Sequence, residues 1–318
     1  MNYSPRQWKN IGTTRRLLGH NIFTLDSGAP PDAPRAGEPP TLLLLHGYPT
    51  SSWDWEAIWP ELCTRFRVVA LDFLGFGFSE KPYPYDYQIR EQADLVEALV
   101  ADLGLTRFHV LAHDYGDTVA QELLARQNEL ATPQWLTLCL LNGGLFPETH
   151  RPRLTQRLLA SPLGPFIAKR MTPQRLHNTL AAIFGPDSQP TSDLVAGYWE
   201  LINYNNGRLA LHKLIDYMAQ RRAHRERWVQ ALAQSPIPIG LINGARDPIS
   251  GAHMVARYKE VVGHPLMIMS LEDIGHYPQW EAPDQVLAAY LQFVQAVMAP
   301  EVPGNYVCNL DTAPSPGQ

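Results

Sequence analysis

The chain has 318 residues, of which 45% are hydrophobic and 18% charged, so it can bury a large core. A formal net charge of -5 and the lack of a long Lys/Arg run argue against a nucleic-acid-binding protein. The apolar run at 42–45 is far shorter than the ~20 residues of a membrane span, and residues 1–10 lack the apolar region of a secretory signal.

Strand-like and helix-like segments alternate along the first part of the chain, which predicts an α/β fold with a mainly parallel central sheet flanked by helices. A Pro-rich stretch at 28–40 is expected to be an exposed loop. The segments predicted in this part are strands at 20–25, 41–45, 67–71, 108–112 and 136–141, and helices at 51–62, 88–103 and after the turn at 113–116.

The pattern changes at about residue 145, after which no strand is evident until 237 and helical periodicity is repeatedly interrupted by proline. We interpret this part as an inserted helical cap over the carboxyl edge of the sheet. Strands are predicted again at 237–242 and 266–271, and a last helix at 285–297. The predicted organisation is an α/β core at 1–144 and 234–298, a helical cap at 145–233 and a tail at 299–318.

The strand at 108–112 is followed by a tight turn and a helix, with the sequence FHVLAHDYGDTVAQELL. Small residues, Ala112 and Gly116, stand two positions before and after Asp114. This small-x-nucleophile-x-small pattern predicts a nucleophile elbow, a sharp strand-to-helix turn that presents one side chain above the sheet. The usual serine is replaced by aspartate, and no G-x-S-x-G occurs in the chain. The alternative interpretation is that Asp114 caps the following helix.

Two further loops follow predicted strands and supply the partners that such a nucleophile requires. Asp247 follows the strand at 237–242 and His276 follows the strand at 266–271. The chain order of nucleophile, acid and histidine is that of α/β-hydrolases. Taken separately, Asp247 could be a turn residue before Pro248, and His276 one of 11 ordinary histidines.

Each residue type suits a chemical role. A carboxylate at Asp114 is ionised at neutral pH and can attack a strained or activated sp³ carbon, which produces a covalent ester. His276 would deprotonate the water that hydrolyses this ester, and Asp247 would hold its ring in the required tautomer. Backbone N–H groups of Tyr48 and Tyr115 are the expected oxyanion hole.

The sequence resembles the aspartate-nucleophile branch of the α/β-hydrolase superfamily, which contains epoxide hydrolases and haloalkane dehalogenases. Within it, the group of the mesoderm-specific transcript protein and its bacterial relatives is the most similar. The similarity spans about residues 8–297. The motifs that carry it are HGYPTSSWDW at 46–55, LDFLGFGFSEKP at 71–82, AHDYGD at 112–117, NGGLFPETHRP at 142–152, GARDP at 244–248 and GHYPQWEAP at 275–283.

The resemblance also bears on the reaction. Haloalkane dehalogenases hold the halide with a Trp after the nucleophile and an Asn or Trp after His-Gly, where this chain has Tyr115 and Tyr48. Epoxide hydrolases protonate the opening oxygen with two cap tyrosines. The resemblance assigns one of them to Tyr217, whereas Leu159 stands where the second is expected. Possible substitutes for that second tyrosine are His150, His177, Tyr198 and Tyr204.

We therefore expect an epoxide hydrolase that acts on a small hydrophobic substrate without a metal or cofactor. The alternatives are a dehalogenase or ester hydrolase, or a hydrolase-fold binding protein with little turnover. A cytoplasmic location is expected, since the cysteines, including Cys308, are few and scattered. We also expect a monomer or homodimer without nucleic-acid or membrane partners. The basic stretch at 221–227 is interpreted as a solvated helix face. The expected pocket side chains are His46, Trp53, His113, Tyr198 and Tyr204.

Overall fold

A computed structural model describes residues 2–31, 40–130, 134–263 and 265–299. Most of the predicted loop at 28–40, nearly all of the tail at 299–318, and Cys308 therefore lie outside the described residues. Of the described helices, none combines the length and apolar character needed to cross a bilayer.

The central element is an eight-stranded sheet with the strand order β1-β2-β4-β3-β5-β6-β7-β8. Strands β1 and β2 run antiparallel to their neighbours, and all pairs from β4 to β8 are parallel. This confirms the predicted α/β fold with a mostly parallel sheet. The strands are β1 (Thr13–Leu17), β2 (His20–Asp26), β3 (Thr41–Leu45), β4 (Arg67–Leu71), β5 (Phe108–His113), β6 (Trp135–Leu141), β7 (Ile239–Gly244) and β8 (Met267–Leu271).

Strand β1 was not predicted from the sequence. It is an edge strand with the sequence TTRRL, of which only Leu17 is buried, so it has no apolar periodicity to detect. Strand β5, in contrast, lies between β3 and β6, and all six of its residues are buried. A strand covered on both faces has a continuous apolar run, which is why the sequence located it.

Helices cover the sheet and fill the interval between β6 and β7. The predicted helix at 51–62 is instead a short 3₁₀ turn (Ser52–Trp55) followed by α2, because Pro60 has no N–H to continue a helix. The α-helices are α1 (Pro5–Ile11), α2 (Trp59–Cys63), α3 (Ile89–Asp102), α4 (Tyr115–Asn128), α5 (Leu154–Leu159), α6 (Gly164–Lys169), α7 (Pro173–Ala181), α8 (Ser192–Asn203), α9 (Leu211–Leu214), α10 (Tyr217–Ala223), α11 (Arg225–Ala233), α12 (Ala252–Val261), α13 (Pro278–Glu281) and α14 (Pro283–Met298).

The stretch from β6 to β7 contains helices α5 to α11 and, across residues 142–238, no strand. We call this helical stretch the cap. Two of its prolines, Pro165 and Pro173, stand in the first turns of α6 and α7, where a missing N–H has no cost. The prolines that interrupted the sequence pattern therefore divide the cap into short helices.

Candidate active site

Asp114 lies in the turn between β5 and α4, with φ +46° and ψ -100°. A positive φ is rare for a residue other than glycine and stores strain, which structures retain mainly at functional positions. The turn brings Gly116 against the end of β3, where its N–H donates to the carbonyl oxygen of His46 at 2.9 Å. A Cβ on Gly116 would lie 2.3 Å from the carbonyl oxygen of Leu45. The turn therefore requires a glycine there, as the elbow pattern predicts.

The side chain of Asp114 does not cap the helix. It accepts no hydrogen bond from the first turn of α4, so the geometry does not support the capping interpretation. Instead, its Oδ2 accepts a hydrogen bond from the backbone N–H of Tyr48 at 3.1 Å. Tyr48 is thus one predicted oxyanion donor in position. The other, Tyr115, begins α4, which leaves its N–H without an acceptor within the helix.

Asp247 and His276 meet at the carboxyl edge of the sheet. Nδ1 of His276 lies 2.7 Å from Oδ2 of Asp247 and donates to it. Asp247 also accepts from the N–H groups of Ile249 at 2.8 Å and Ser250 at 3.1 Å. With Nδ1 as a donor, Nε2 of His276 faces the nucleophile position, 4.0 Å from Oδ2 of Asp114. The structure therefore brings all three predicted triad residues together.

The charges of this group are coupled. Burial alone would lower the pKa of His276, but the charge and hydrogen bond of Asp247, and then the charge of Asp114, raise it to about 9. Burial alone would raise the pKa of Asp247, but His276 and the hydrogen bonds to its carboxylate lower it to about 2. The pair is therefore an imidazolium and a carboxylate at neutral pH while Asp114 is ionised.

Asn142, at the end of β6, was not identified from the sequence as a site residue. Its Nδ2 donates to Oδ2 of Asp247 at 3.0 Å, and its Oδ1 accepts from the N–H of Gly244 at 2.8 Å. The side chain thus links β6 to the loop that carries the acid. A polar residue at the carboxyl end of a buried parallel strand was the available signal.

Arg221 is the second missed residue, and it corrects the interpretation of 221–227 as a solvated face. Its side chain is 3% exposed, and Nη2 donates to the backbone oxygen of Asp114 at 3.0 Å. Nη2 also lies 3.6 Å from Oδ1 of Asp114, and Nε donates to Thr118 at 2.6 Å. Only the rest of the stretch fits the prediction, since Arg225 and Arg227 form surface ion pairs. The spacing in the sequence could have indicated that Arg221 is buried, because it follows Tyr217 by four residues and so lies on the same face of α10.

Tyr217 is buried at the start of α10, with its ring against two tyrosines of the elbow region. The ring centroids lie 5.8 Å from Tyr48 and 5.3 Å from Tyr115. Its hydroxyl is buried and has no hydrogen-bond partner. Burial, and then the charge of Asp114, raise the pKa of this phenol well above its usual value, so it is held in the protonated form. The structure thus places a neutral phenol from the cap beside the elbow.

A cavity connects Asp114 and His276 to the cap. Its volume is about 50 Å³, far below the roughly 300–1,000 Å³ of typical ligand pockets. Leu159, at the position of the absent second tyrosine, is part of its wall. The cavity is lined by Tyr48, Pro49, Asp114, Arg153, Thr155, Gln156, Leu159, Met171, Leu176, Thr179, Leu180, Ile183, Trp199, Ile202, Leu211, Ile249, His276 and Tyr277. The wall is mainly apolar, and the cap must open to admit more than a few atoms.

None of the five predicted pocket side chains lines this cavity, so that prediction is corrected. His46 and His113 lie behind the site. The N–H of Phe73 donates to Nε2 of His46 at 3.0 Å and Nδ1 donates to Gly47, which fits the neutral ring, and burial lowers the pKa of His46. Nε2 of His113 donates to the carbonyl oxygen of His276 at 2.8 Å. Both rings support the catalytic loops.

The three aromatic side chains lie elsewhere for packing reasons. Trp53 donates from Nε1 to the carbonyl oxygen of Tyr3 and stacks against Tyr198 and Trp280. Tyr204 accepts from Lys9 at 3.1 Å on the outer side of the cap. Tyr217 is not among the residues that line the cavity, and neither are the residues that could replace the second tyrosine, which are His150, His177, Tyr198 and Tyr204.

Two other features of the described residues were considered as sites. No group of three or more His, Cys, Asp or Glu side chains in the described ranges is arranged to hold a metal ion. A larger open groove of about 610 Å³ lies on the surface beside α3, α4 and α11, but its lining is mostly polar and does not include the triad. The chemistry-bearing residues are therefore concentrated around Asp114.

Comparisons with known proteins identify the family of this chain. The family model described as α/β-hydrolase fold matches residues 40–283. The mesoderm-specific transcript protein of Mus musculus is 43% identical over 297 residues, which cover 91% of this chain and 87% of that protein. The putative hydrolase LipZ of Mycobacterium tuberculosis is 39% identical over 292 residues, covering 92% of this chain and 98% of that protein.

A solved structure shows the same fold at lower identity. The crystal structure of the haloalkane dehalogenase DbeA from Bradyrhizobium elkani superposes with a TM-score of 0.73 and 22% identity, covering 90% of this chain and 98% of that one. At this identity the similarity concerns the fold alone. From the family match and the two relatives, this chain belongs to the α/β-hydrolase fold family and is related to the mesoderm-specific transcript protein.

Proposed function

We propose that this α/β-hydrolase acts through a covalent ester on Asp114 and that its substrates are epoxides. The observation that carries the proposal is the surroundings of Asp114. Its carboxylate accepts the Tyr48 N–H and faces Nε2 of His276 at 4.0 Å. Its charge also helps to raise the pKa of the Tyr217 phenol, whose ring lies against Tyr48 and Tyr115. A nucleophile, a base and a proton donor are the three groups that opening an epoxide and hydrolysing the resulting ester require.

In the first step, a carboxylate oxygen of Asp114 attacks an epoxide carbon. The new C–O bond forms as the C–O bond of the ring breaks, and the phenol of Tyr217 gives its proton to the oxygen that is released. The hydroxyl of Tyr217 suits this step because it is buried and has no other hydrogen-bond partner. The product is a hydroxyalkyl ester of Asp114 and a phenolate at Tyr217.

In the second step, His276 takes a proton from water, and the hydroxide attacks the ester carbonyl. The oxyanion is held by the backbone N–H groups of Tyr48 and Tyr115. The intermediate then expels the diol oxygen, which takes the proton from His276. The carboxylic acid of Asp114 then passes its proton to His276, which restores the resting imidazolium and carboxylate, so the sum is epoxide plus water to diol.

Ester formation also prepares His276 for its role. The charge of Asp114 is one of the causes that raise the pKa of His276 to about 9 in the resting enzyme. The ester carries no charge, so this contribution is lost once the intermediate exists. His276 then passes its proton through water to the phenolate of Tyr217, which restores the phenol, and the neutral imidazole can act as the base in the second step.

One observation favours a second candidate, a binding protein with little turnover. Leu159 lines the cavity where a second phenol is expected, so the oxygen of the opening ring would receive one phenolic donor rather than two. Loss of one such donor typically costs about 10²- to 10³-fold in rate. Slow turnover with retained binding would be the consequence.

The test is the intact mass of the His276→Ala variant after incubation with terminal epoxides and, separately, with haloalkanes. This variant should form the ester but not hydrolyse it, so an adduct equal to the whole epoxide is expected. The matched control is the double variant Asp114→Ala/His276→Ala, which should gain no mass. A thermal melt of both variants verifies that they are folded.

Three other results would contradict parts of the proposal. An adduct that lacks the halide would indicate a dehalogenase with the same nucleophile. An adduct in the double variant would show that another side chain is alkylated. No adduct from any epoxide or haloalkane, with the variant folded, would favour the binding protein.

A further inference from the structure

The outer surface of the cap between residues 149 and 186 has an unusual charge. The segment contains six Lys or Arg residues and no Asp or Glu, in a chain whose net charge is -5. All six side chains are exposed, and none forms an ion pair with a carboxylate of the described residues. The six are Arg151, Arg153, Arg157, Lys169, Arg170 and Arg175.

Three large apolar side chains are exposed within the same segment. Leu154 is 71% exposed, Leu163 60% and Phe166 53%. They stand on α5, on α6 and on the turn between these helices, which pack against each other. The guanidinium of Arg170 lies 3.5 Å from the centroid of the Phe166 ring. Exposed apolar side chains interspersed with unpaired cations form the surface that we call the basic cap face, defined as residues 151–175.

The basic cap face shares residues with the wall of the active-site cavity. Arg153, which is exposed, lines the cavity together with Thr155 and Gln156 of α5. The neighbouring Leu154 points to solvent instead. The same short helix therefore contributes to the cavity wall and to the basic cap face.

We propose that the basic cap face docks the enzyme onto an anionic phospholipid surface. Cations attract acidic headgroups, and the exposed Leu and Phe side chains enter the boundary between headgroups and acyl chains. A second copy of the chain does not fit, because a two-fold interface would place the six unpaired cations against themselves. Docking would bring the part of the cavity wall formed by α5 close to the bilayer, where hydrophobic molecules dissolve.

The test is cosedimentation of the full chain with vesicles of phosphatidylcholine alone or with about one quarter phosphatidylserine. Binding to the anionic vesicles at low salt is expected, with loss at 1 M salt, where the Debye length falls to about 3 Å. The charge variant Arg157→Gln/Lys169→Gln should weaken binding about 25-fold, since each cation contributes about fivefold. The apolar variant Leu154→Ser/Phe166→Ser should weaken it about tenfold or more.

The matched control is Leu18→Ser/Lys259→Gln, which removes one exposed apolar and one exposed basic side chain away from the cap. Its binding should equal that of the unmodified chain. None of the six substituted positions lines the cavity, so thermal melts and adduct formation on Asp114 verify that each variant is folded. Because vesicle binding needs no turnover, its failure is separate from failure of the proposed reaction.

Absence of binding to anionic vesicles at low salt would overturn the proposal. So would equal loss of binding in the control and cap variants. Retention on an immobilised polyglutamate column without vesicle binding would show that the basic cap face takes an acidic protein, and this too would overturn docking on lipid.

Discussion

The carboxyl edge of the sheet and the cap contribute to the same site in different ways. At the sheet edge, each functional side chain is fixed by a short local motif, such as the strand and glycine turn that hold Asp114 at a positive φ. In the cap, Tyr217 and Arg221 are fixed by packing against distant residues, including Tyr48 and Thr118. Function at the edge can therefore be recognised from neighbours in sequence, whereas function in the cap depends on neighbours in space.

The two parts also differ in how they hold charge. At the edge, Asp247 and His276 form a buried pair supported by hydrogen bonds from several backbone and side-chain groups. The cap contributes the buried cation of Arg221, and one of its terminal nitrogens, Nη1, has no hydrogen-bond partner. The following variants test whether the edge supplies the chemistry and the cap positions it.

The largest effect is expected from removal of the nucleophile. Asp114→Asn should reduce turnover by on the order of 10⁴-fold or more, because no carboxylate remains to form the ester.

The matched control is Asp117→Asn, three residues later. Burial, and then the charge of Asp114, raise the pKa of Asp117 well above its usual value, which favours the neutral acid that the amide resembles. Turnover within about threefold of the unmodified enzyme is expected for the control. Initial rates on an accepted epoxide measure turnover in both variants. Equal losses of turnover would contradict the assignment of Asp114 as the nucleophile.

Arg221 should have the next largest effect. Arg221→Met removes the hydrogen bond to the backbone of Asp114 and the cation 3.6 Å from its carboxylate. A loss of about 3 kcal/mol of unfolding free energy and about 10²-fold in turnover is expected, since a buried charged partner is removed. Arg222→Met is the control, because Arg222 is exposed and should change stability by less than about 0.5 kcal/mol. Urea unfolding and adduct rates measure both effects. Similar results for the two variants would contradict the positioning role of Arg221.

The role of the cap phenol can be isolated from its packing. Tyr217→Phe removes only a buried hydroxyl that has no partner, so stability should change by no more than about 1 kcal/mol. Epoxide opening should slow by on the order of 10²-fold, because the released oxygen loses its proton donor. Tyr258→Phe is matched, since its hydroxyl is also buried and unpartnered, but it lies on α12 and its pKa is raised by burial alone, without a contribution from Asp114. If both variants opened epoxides at the unmodified rate, Tyr217 would not be the donor.

The sequence located the edge of the site far better than the cap, for physical reasons. The strand β5, the glycine at 116 and the residues after β7 and β8 follow rules of periodicity and turn geometry, so Asp114, Asp247 and His276 could be placed together in advance. Arg221 was assigned to a solvated face because a basic stretch contains no information on which of its members is buried. The predicted pocket side chains were aromatic residues near the motifs. In the structure, Trp53 and Tyr198 instead pack edge-to-face against each other, and the cavity is lined largely by aliphatic residues of the cap.

The smallest expected effect concerns the contributions of Asp114 and Asp247 to the pKa of His276. The pKa of His276 is raised above the value of an unfolded chain, so the stability it contributes is fully present below about pH 6.5 and is lost as the pH rises through about 9. In the Asp114→Asn variant one contributing charge is gone, and the pKa of His276 should fall by about one pH unit, equivalent to about 1.4 kcal/mol. Asp247→Asn should lower it further, because the charge and hydrogen bond of Asp247 are the larger causes. Histidine NMR resonances followed with pH, and assigned by their loss in His276→Gln, measure these values. An unchanged pKa in Asp114→Asn would mean that ester formation does not activate His276, and the second step would then need another source for its base.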